Sequence, residues 1–82
     1  MVGRRIYPDK DGNFIMREGD YGQDKNGEWH VRPPGFHAGS IRNHTVIEHE
    51  DDTITVSPSI LLDGGELGSW HGYLEKGIWR EV

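Results

Sequence analysis

Apolar and polar residues alternate along this chain in short runs, and no window repeats every three or four residues as an amphipathic helix requires. The clearest run is TITVSPSI, with Ile54, Val56, Pro58 and Ile60 on one side and Thr53, Thr55, Ser57 and Ser59 on the other. That alternation predicts a strand with one buried face. Pro58 has no N–H to donate, which places a sheet edge or the end of pairing beside it. The segment HTVIEH predicts the partner strand. With Asp51-Asp52 as a two-residue turn, Ile47, His49, Ile54 and Val56 share one face. A three-residue turn pairs Ile47 with Thr55 and mixes the faces, so the two-residue register is expected.

Elsewhere, turn chemistry divides the chain. RRIY and NFIMR flank PDKDG, and DYGQ and EWHVR flank DKNG, which predicts two further hairpins on Asp/Asn-Gly turns. Pro33-Pro34 ends the second, GFHAGSIRN follows as a loop, and DGGELGS connects to a closing hairpin, SWHGYLEKGIWREV. A three-residue turn at Glu75-Lys76-Gly77 turns Trp70, Leu74, Ile78 and Val82 inward. It leaves Tyr73 opposite Trp79 and His71 opposite Glu81 on the outer face. The sum is an all-β domain over residues 1–82 with six to eight short strands and no helix or internal repeat. Its form is an antiparallel sheet, a sandwich or a partly open barrel.

Composition tightens this picture. Of 82 residues only 33% are hydrophobic, so a small core leans on its eight aromatic side chains (Trp 3, Tyr 3, Phe 2). Without cysteine no disulfide can help, and a bound metal, a ligand or a second copy in a homodimer is the remaining aid. A net charge of −5 and a pI near 5.4 argue against nucleic acid as the partner. The densest acids, Glu48, Glu50, Asp51 and Asp52, read as a solvated turn. No apolar run approaches the roughly 18 residues of a membrane span, and MVGRRIYPDKDG lacks the apolar core of a signal peptide, so a cytoplasmic location is expected.

Candidate chemistry is sparse. The five histidines, His30, His37, His44, His49 and His71, show no metal-ligand spacing, and GGELG lacks the lysine and following helix of a phosphate loop. Ser57 and Ser59 read as the solvent face of a strand. The loop at 35–44 and the outer face of the last hairpin are the places to expect binding. There the candidates are His37, Arg42, His44, His71, Tyr73, Trp79 and Glu81, with Arg42 as partner for an anionic group.

WHVRPPG, HTVIEHEDDTITVSPSILL and SWHGYLEKGIWREV together resemble a family of small proteins found in phages of actinobacteria and in their hosts. The resemblance covers residues 19–82. Such proteins are often labelled ammonia monooxygenase, a multi-subunit membrane copper enzyme whose spans are absent here. A wider domain of unknown function shares the Ser-Pro-Ser-Ile strand and the closing aromatic hairpin. Some of its members carry cysteines ahead of that hairpin, where this chain has GELGS, so neither a metal nor a cofactor is implied. The resemblance implies a phage accessory protein acting in the bacterial host and leaves its target open. The acidic charge, the exposed aromatics and the lack of a catalytic constellation favour a binding module, for a host protein or a small anionic signalling molecule, that counters defence or redirects the host. The alternatives are a metal-assisted hydrolase using His37, His44, His49 or His71, and a minor virion component.

Overall fold

The computed structural model describes the backbone of residues 1–82 and every side chain except that of Leu67. Nine short strands form: β1 (Arg4–Arg5), β2 (Asp20–Gln23), β3 (Trp29–Val31), β4 (Gly39–Ser40), β5 (Thr45–Glu48), β6 (Ile54–Ser57), β7 (Ile60–Asp63), β8 (Ser69–Glu75) and β9 (Ile78–Glu81). They make three open sheets, ordered β1-β2-β3-β4, β5-β6 and β7-β8-β9. One 3-10 turn at Gly65–Leu67 is the helical element among the described residues. The all-β expectation holds, with more strands than the pattern indicated, because two-residue pieces such as β1 and β4 leave no periodic signal.

One core joins the three sheets. Tyr21 and Val31 come from the first, Ile54 and Val56 from the second, and Ile60, Leu62, Trp70, Leu74 and Trp79 from the third; Phe36 and Ile41 are added by the loop around β4. The run TITVSPSI does bury Ile54, Val56 and Ile60, but it is two strands in two sheets, divided at a cis Ser57–Pro58 bond.

Three expected pairings are corrected. The PDKDG turn forms, yet NFIMR is not a strand, and β1 lies parallel to β2 with Arg4 opposite Asp20. In the β5–β6 hairpin Ile47 faces Thr55 and Glu48 faces Ile54, around a three-residue turn in which Asp52 has φ 72°. This register exposes Ile47 and turns Glu48 toward Arg5, at 2.9 Å. The Arg5 side chain is only 10% exposed. It lies 5.0 Å from the Tyr7 ring and 4.8 Å from the Trp29 ring, with Asp52 at 3.4 Å as a second counter-charge. A nearly buried guanidinium that needs carboxylates outweighs the apolar neatness of the other register.

The closing hairpin also shifts by one residue. Lys76 and Gly77, with φ 49° and 76°, form a two-residue turn, so Leu74 faces Trp79 and Tyr73 faces Arg80. A one-residue slip turns every side chain of β9 over. Trp79 therefore goes inward, stacks edge-on against Trp70 at 5.4 Å, and donates its indole N–H to the Gly19 carbonyl at 2.9 Å. Ile78 and Val82, expected inside, are exposed. Burying an indole contributes more than burying an isoleucine, and the Gly19 carbonyl, which also accepts the Arg4 N–H at 3.2 Å, gains a second donor. Gly72 is the space that admits this pair, since a Cβ there would lie 2.5 Å from the Trp70 ring. The other edge of β9 is covered by the N-terminal segment: Trp79 donates to the Met1 carbonyl at 2.8 Å and Gly3 to that of Gly77 at 2.7 Å.

One turn is built twice. In DKDGN (9–13) the Asp9 carboxylate accepts the N–H groups of Asp11 and Asn13, both at 2.9 Å. In DKNGE (24–28) Asp24 accepts those of Asn26 and Glu28, at 2.8 and 3.0 Å. The backbone bonds match too, from Gly12 to Asp9 and from Gly27 to Asp24.

Candidate functional site

The expected site residues separate into groups. His71 and Tyr73 lie on the outer face of the β7-β8-β9 sheet, their rings 6.5 Å apart. The group over Tyr73 is Arg80, at 4.4 Å from the ring, instead of the buried Trp79. Glu81 is exposed and faces Gly72. His44 joins this region from the loop: its Nε2 lies 3.0 Å from the Ser59 carbonyl, while His71 Nε2 lies 3.0 Å from the Ser59 hydroxyl. His44 is half-buried, and its buried Nδ1 has no partner among the described residues. His49 is bonded to Thr55 Oγ1 at 2.7 Å.

Arg42 is not the free cation that the sequence suggests. It donates to Glu28 at 3.0 Å, beside the Ser40 hydroxyl at 2.7 Å on the same oxygen. These two donors, the hydroxyl first, hold the Glu28 carboxyl below its ordinary value of 4.5.

A different arginine opens onto a cavity. Where the 13–18 segment, the β2–β3 hairpin and the 35–41 loop meet, an open pocket of about 490 Å3 is lined by Phe14, Met16 and Ala38 and by Asp24, His30, Arg32 and His37. Strand β3 supplies His30, and Arg32 follows two residues later, just past the strand end. Arg32 is half-buried and donates Nε to the Phe36 carbonyl and Nη1 to the Met16 carbonyl, both at 2.9 Å. No carboxylate among the described residues lies within ion-pair distance of it. The pocket's acid is already engaged: Asp24 Oδ2 lies 2.8 Å from His30 Nε2. That bond, helped by the backbone N–H groups of Glu28 and Asn26, holds the Asp24 carboxyl below its ordinary 3.8. His37 packs its ring 4.3 Å from Phe36 and turns Nδ1 toward the Ala38 carbonyl at 2.8 Å, which leaves Nε2 for another group. The His30 ring tilts against Phe14 at 5.8 Å.

The pocket thus offers an uncompensated guanidinium, an imidazole nitrogen and an apolar wall, a donor set for one anionic group on a flat or apolar body. Sequence reasoning missed Arg32, although a signal existed: with Trp29 and Val31 facing the core, period-two alternation places His30 and Arg32 together on the other face. Phe14 and Met16 carry no such signal, because their segment is irregular. A second open pocket of about 360 Å3, between His49, Thr53 and Lys76, includes Glu50 and Asp51 and has a less apolar wall. Among the described residues, Asp24, Glu28 and His30 bring one potential ligand atom each within 4.8 Å of one another, a group that contains none of the histidines suggested for a hydrolase.

Comparisons of the chain with protein-family models, with curated proteins and with solved structures gave no match. The described residues include no helix long and apolar enough to cross a membrane.

Proposed function

We propose that the chain is a binding module that holds a small anionic molecule in the pocket between Phe14, Met16, Arg32 and His37. The observation that carries this reading is Arg32, a half-buried guanidinium facing a cavity with no carboxylate beside it. Such a cation is normally paired, so an arginine that no carboxylate pairs, in a pocket whose Asp24 is taken by His30, is suited to receive an anion. The phage setting implied by the resemblance supplies a role: lowering the free concentration of an anionic metabolite or signal in the host cytoplasm. Titration calorimetry with benzoate, inorganic phosphate and adenosine monophosphate tests it. At least one should bind with a Kd below about 1 mM, Arg32→Gln should abolish that binding, and Arg42→Gln should retain it. Equal binding by Arg32→Gln, or none by the native chain, overturns the reading.

A second reading, docking of a host protein, rests on the outer face of the β7-β8-β9 sheet. There Leu61 (63% exposed) on β7, His71 on β8 and Val82 (72% exposed), just past the end of β9, lie in a row. Recovery of one host protein by the native chain and not by Leu61→Lys supports it; identical recovery by both counts against it.

A further inference from the structure

We propose that Asp24, Glu28 and His30 form a binding site for one divalent first-row transition ion, of the Mn2+ to Zn2+ range, on the wall of the pocket. The ligand atoms all lie within 4.8 Å of one another. His30 Nε2 and Asp24 Oδ2 are 2.8 Å apart. Two ligands at right angles, each about 2.1 Å from an ion, are separated by about 3.0 Å, so this pair already spans one edge of a coordination shell. Glu28 uses one carboxylate oxygen for Ser40 and Arg42 and keeps the other without a hydrogen bond among the described residues. An ion would replace the proton between His30 and Asp24, which passes to Nδ1 or to water. Two carboxylates and an imidazole favour this class of ion over Mg2+ and Ca2+, which prefer all-oxygen shells.

The duplicated turn separates this arrangement from ordinary turn chemistry. The loop at Asp9 makes the same backbone and carboxylate bonds, but Asn13 and Ile15 stand where the second turn has Glu28 and His30. In the first loop the free oxygen of Asp9 is satisfied by Asn13 Nδ2 at 3.2 Å. The turn is therefore complete without Glu28 or a histidine, and both additions in the second copy bring a potential ligand atom within 4.8 Å of the turn's aspartate. Asp24 is held in place by two backbone N–H groups, so it presents Oδ2 without loss of freedom on binding. With three protein ligands the shell keeps open positions, and Asp24 and His30 line the same pocket as Arg32.

The test is titration of the untagged chain with Zn2+, followed by calorimetry, and with Co2+, followed by visible absorption. One equivalent should bind with a Kd below about 1 mM. His30→Gln and Glu28→Gln, each verified as folded by circular dichroism, should weaken it on the order of tenfold or more. His71→Gln, at an exposed histidine elsewhere, should bind as the native chain does. Absence of saturable binding, unchanged affinity in both site variants, or loss in His71→Gln overturns the proposal. Arg32→Gln should retain Zn2+ while losing the anion, so this site and the proposed function fail separately.

Discussion

Replacing Trp79 by phenylalanine distinguishes a structural indole from a recognition surface. The substitution has two costs. It removes the indole N–H that now sits 2.9 Å from the buried Gly19 carbonyl, which keeps the Arg4 N–H at 3.2 Å, so the loss is that of one ordinary hydrogen bond, about 0.5–1.5 kcal/mol. It also withdraws part of a ring system that is 3% exposed, packed edge-on against Trp70 and so close to the N-terminal strand that a Cβ on Gly3 would lie 2.8 Å from Nε1. The smaller ring forfeits a further ~1–2 kcal/mol of burial and packing. Together these make roughly 1.5–3.5 kcal/mol, against a total of about 4–12 kcal/mol for a chain of this length. At about 4–8 °C per kcal/mol, the melting temperature should fall by at least about 6 °C. Urea unfolding followed by far-ultraviolet circular dichroism reads the loss, and calorimetry under folded conditions reads anion affinity, which should not change. A variant with the native urea midpoint and weakened ligand binding would refute the inward placement of Trp79.

Three other outcomes follow from the geometry. A double-mutant cycle of Arg5→Leu and Glu48→Gln, measured by urea unfolding, should give a coupling of about 0.5–1.5 kcal/mol, because Arg5 is nearly buried while Glu48 is half in water; zero coupling would mean that the pair does not set the β5–β6 register. Gly72→Ala should destabilise by about 1–3 kcal/mol, since the new methyl meets both the Trp70 ring and the Arg80 carbonyl, whereas a neutral effect on the melting temperature would contradict that packing. Hydrogen bonds lower the carboxyl values of Asp9, Asp24, Asp51 and Glu28, so the unfolded chain binds more protons in acid. Their contribution is present above the ordinary values of 3.8 and 4.5 and is lost as pH falls through the lowered native ones. The urea midpoint should decline below about pH 4.5, less steeply in Asp9→Asn, and a midpoint independent of pH there would contradict these bonds.

The alternation of TITVSPSI and the Asp/Asn-Gly turns suffices for an all-β chain and for the burial of Ile54, Val56 and Ile60. Register was not legible at two hairpins, and in both the deciding group lies outside the hairpin. Arg5 draws Glu48 to its side, and the Gly19 carbonyl receives the indole of Trp79. A pattern confined to two strands contains neither. The pocket was legible in half, through the alternation of His30 with Arg32. Its other wall comes from Phe14 and Met16 on an irregular segment and from a loop whose path depends on Phe36 and Ile41 being buried. The pairing of Arg42 was not legible, because charge in a sequence shows no partner, and Glu28 lies fourteen residues away.

The pairing of Met1–Gly3 with Gly77–Trp79 has a kinetic consequence. Residues 78 apart in sequence are joined by a hydrogen bond, so the edge of β9 is completed by a contact of nearly the longest range the chain allows. The β7-β8-β9 meander assembles from neighbouring residues and can form early. The N-terminal strand can add only when a loop of almost the whole molecule has closed, an entropic toll that short-range hairpins escape. The strand that arrives last in such an order is also the one that opens first, exposing the indole of Trp79 while the meander stays paired. In hydrogen exchange, the Gly3 and Trp79 amides should lose protection together and ahead of β8; equal protection would show that closure and meander form a single cooperative step.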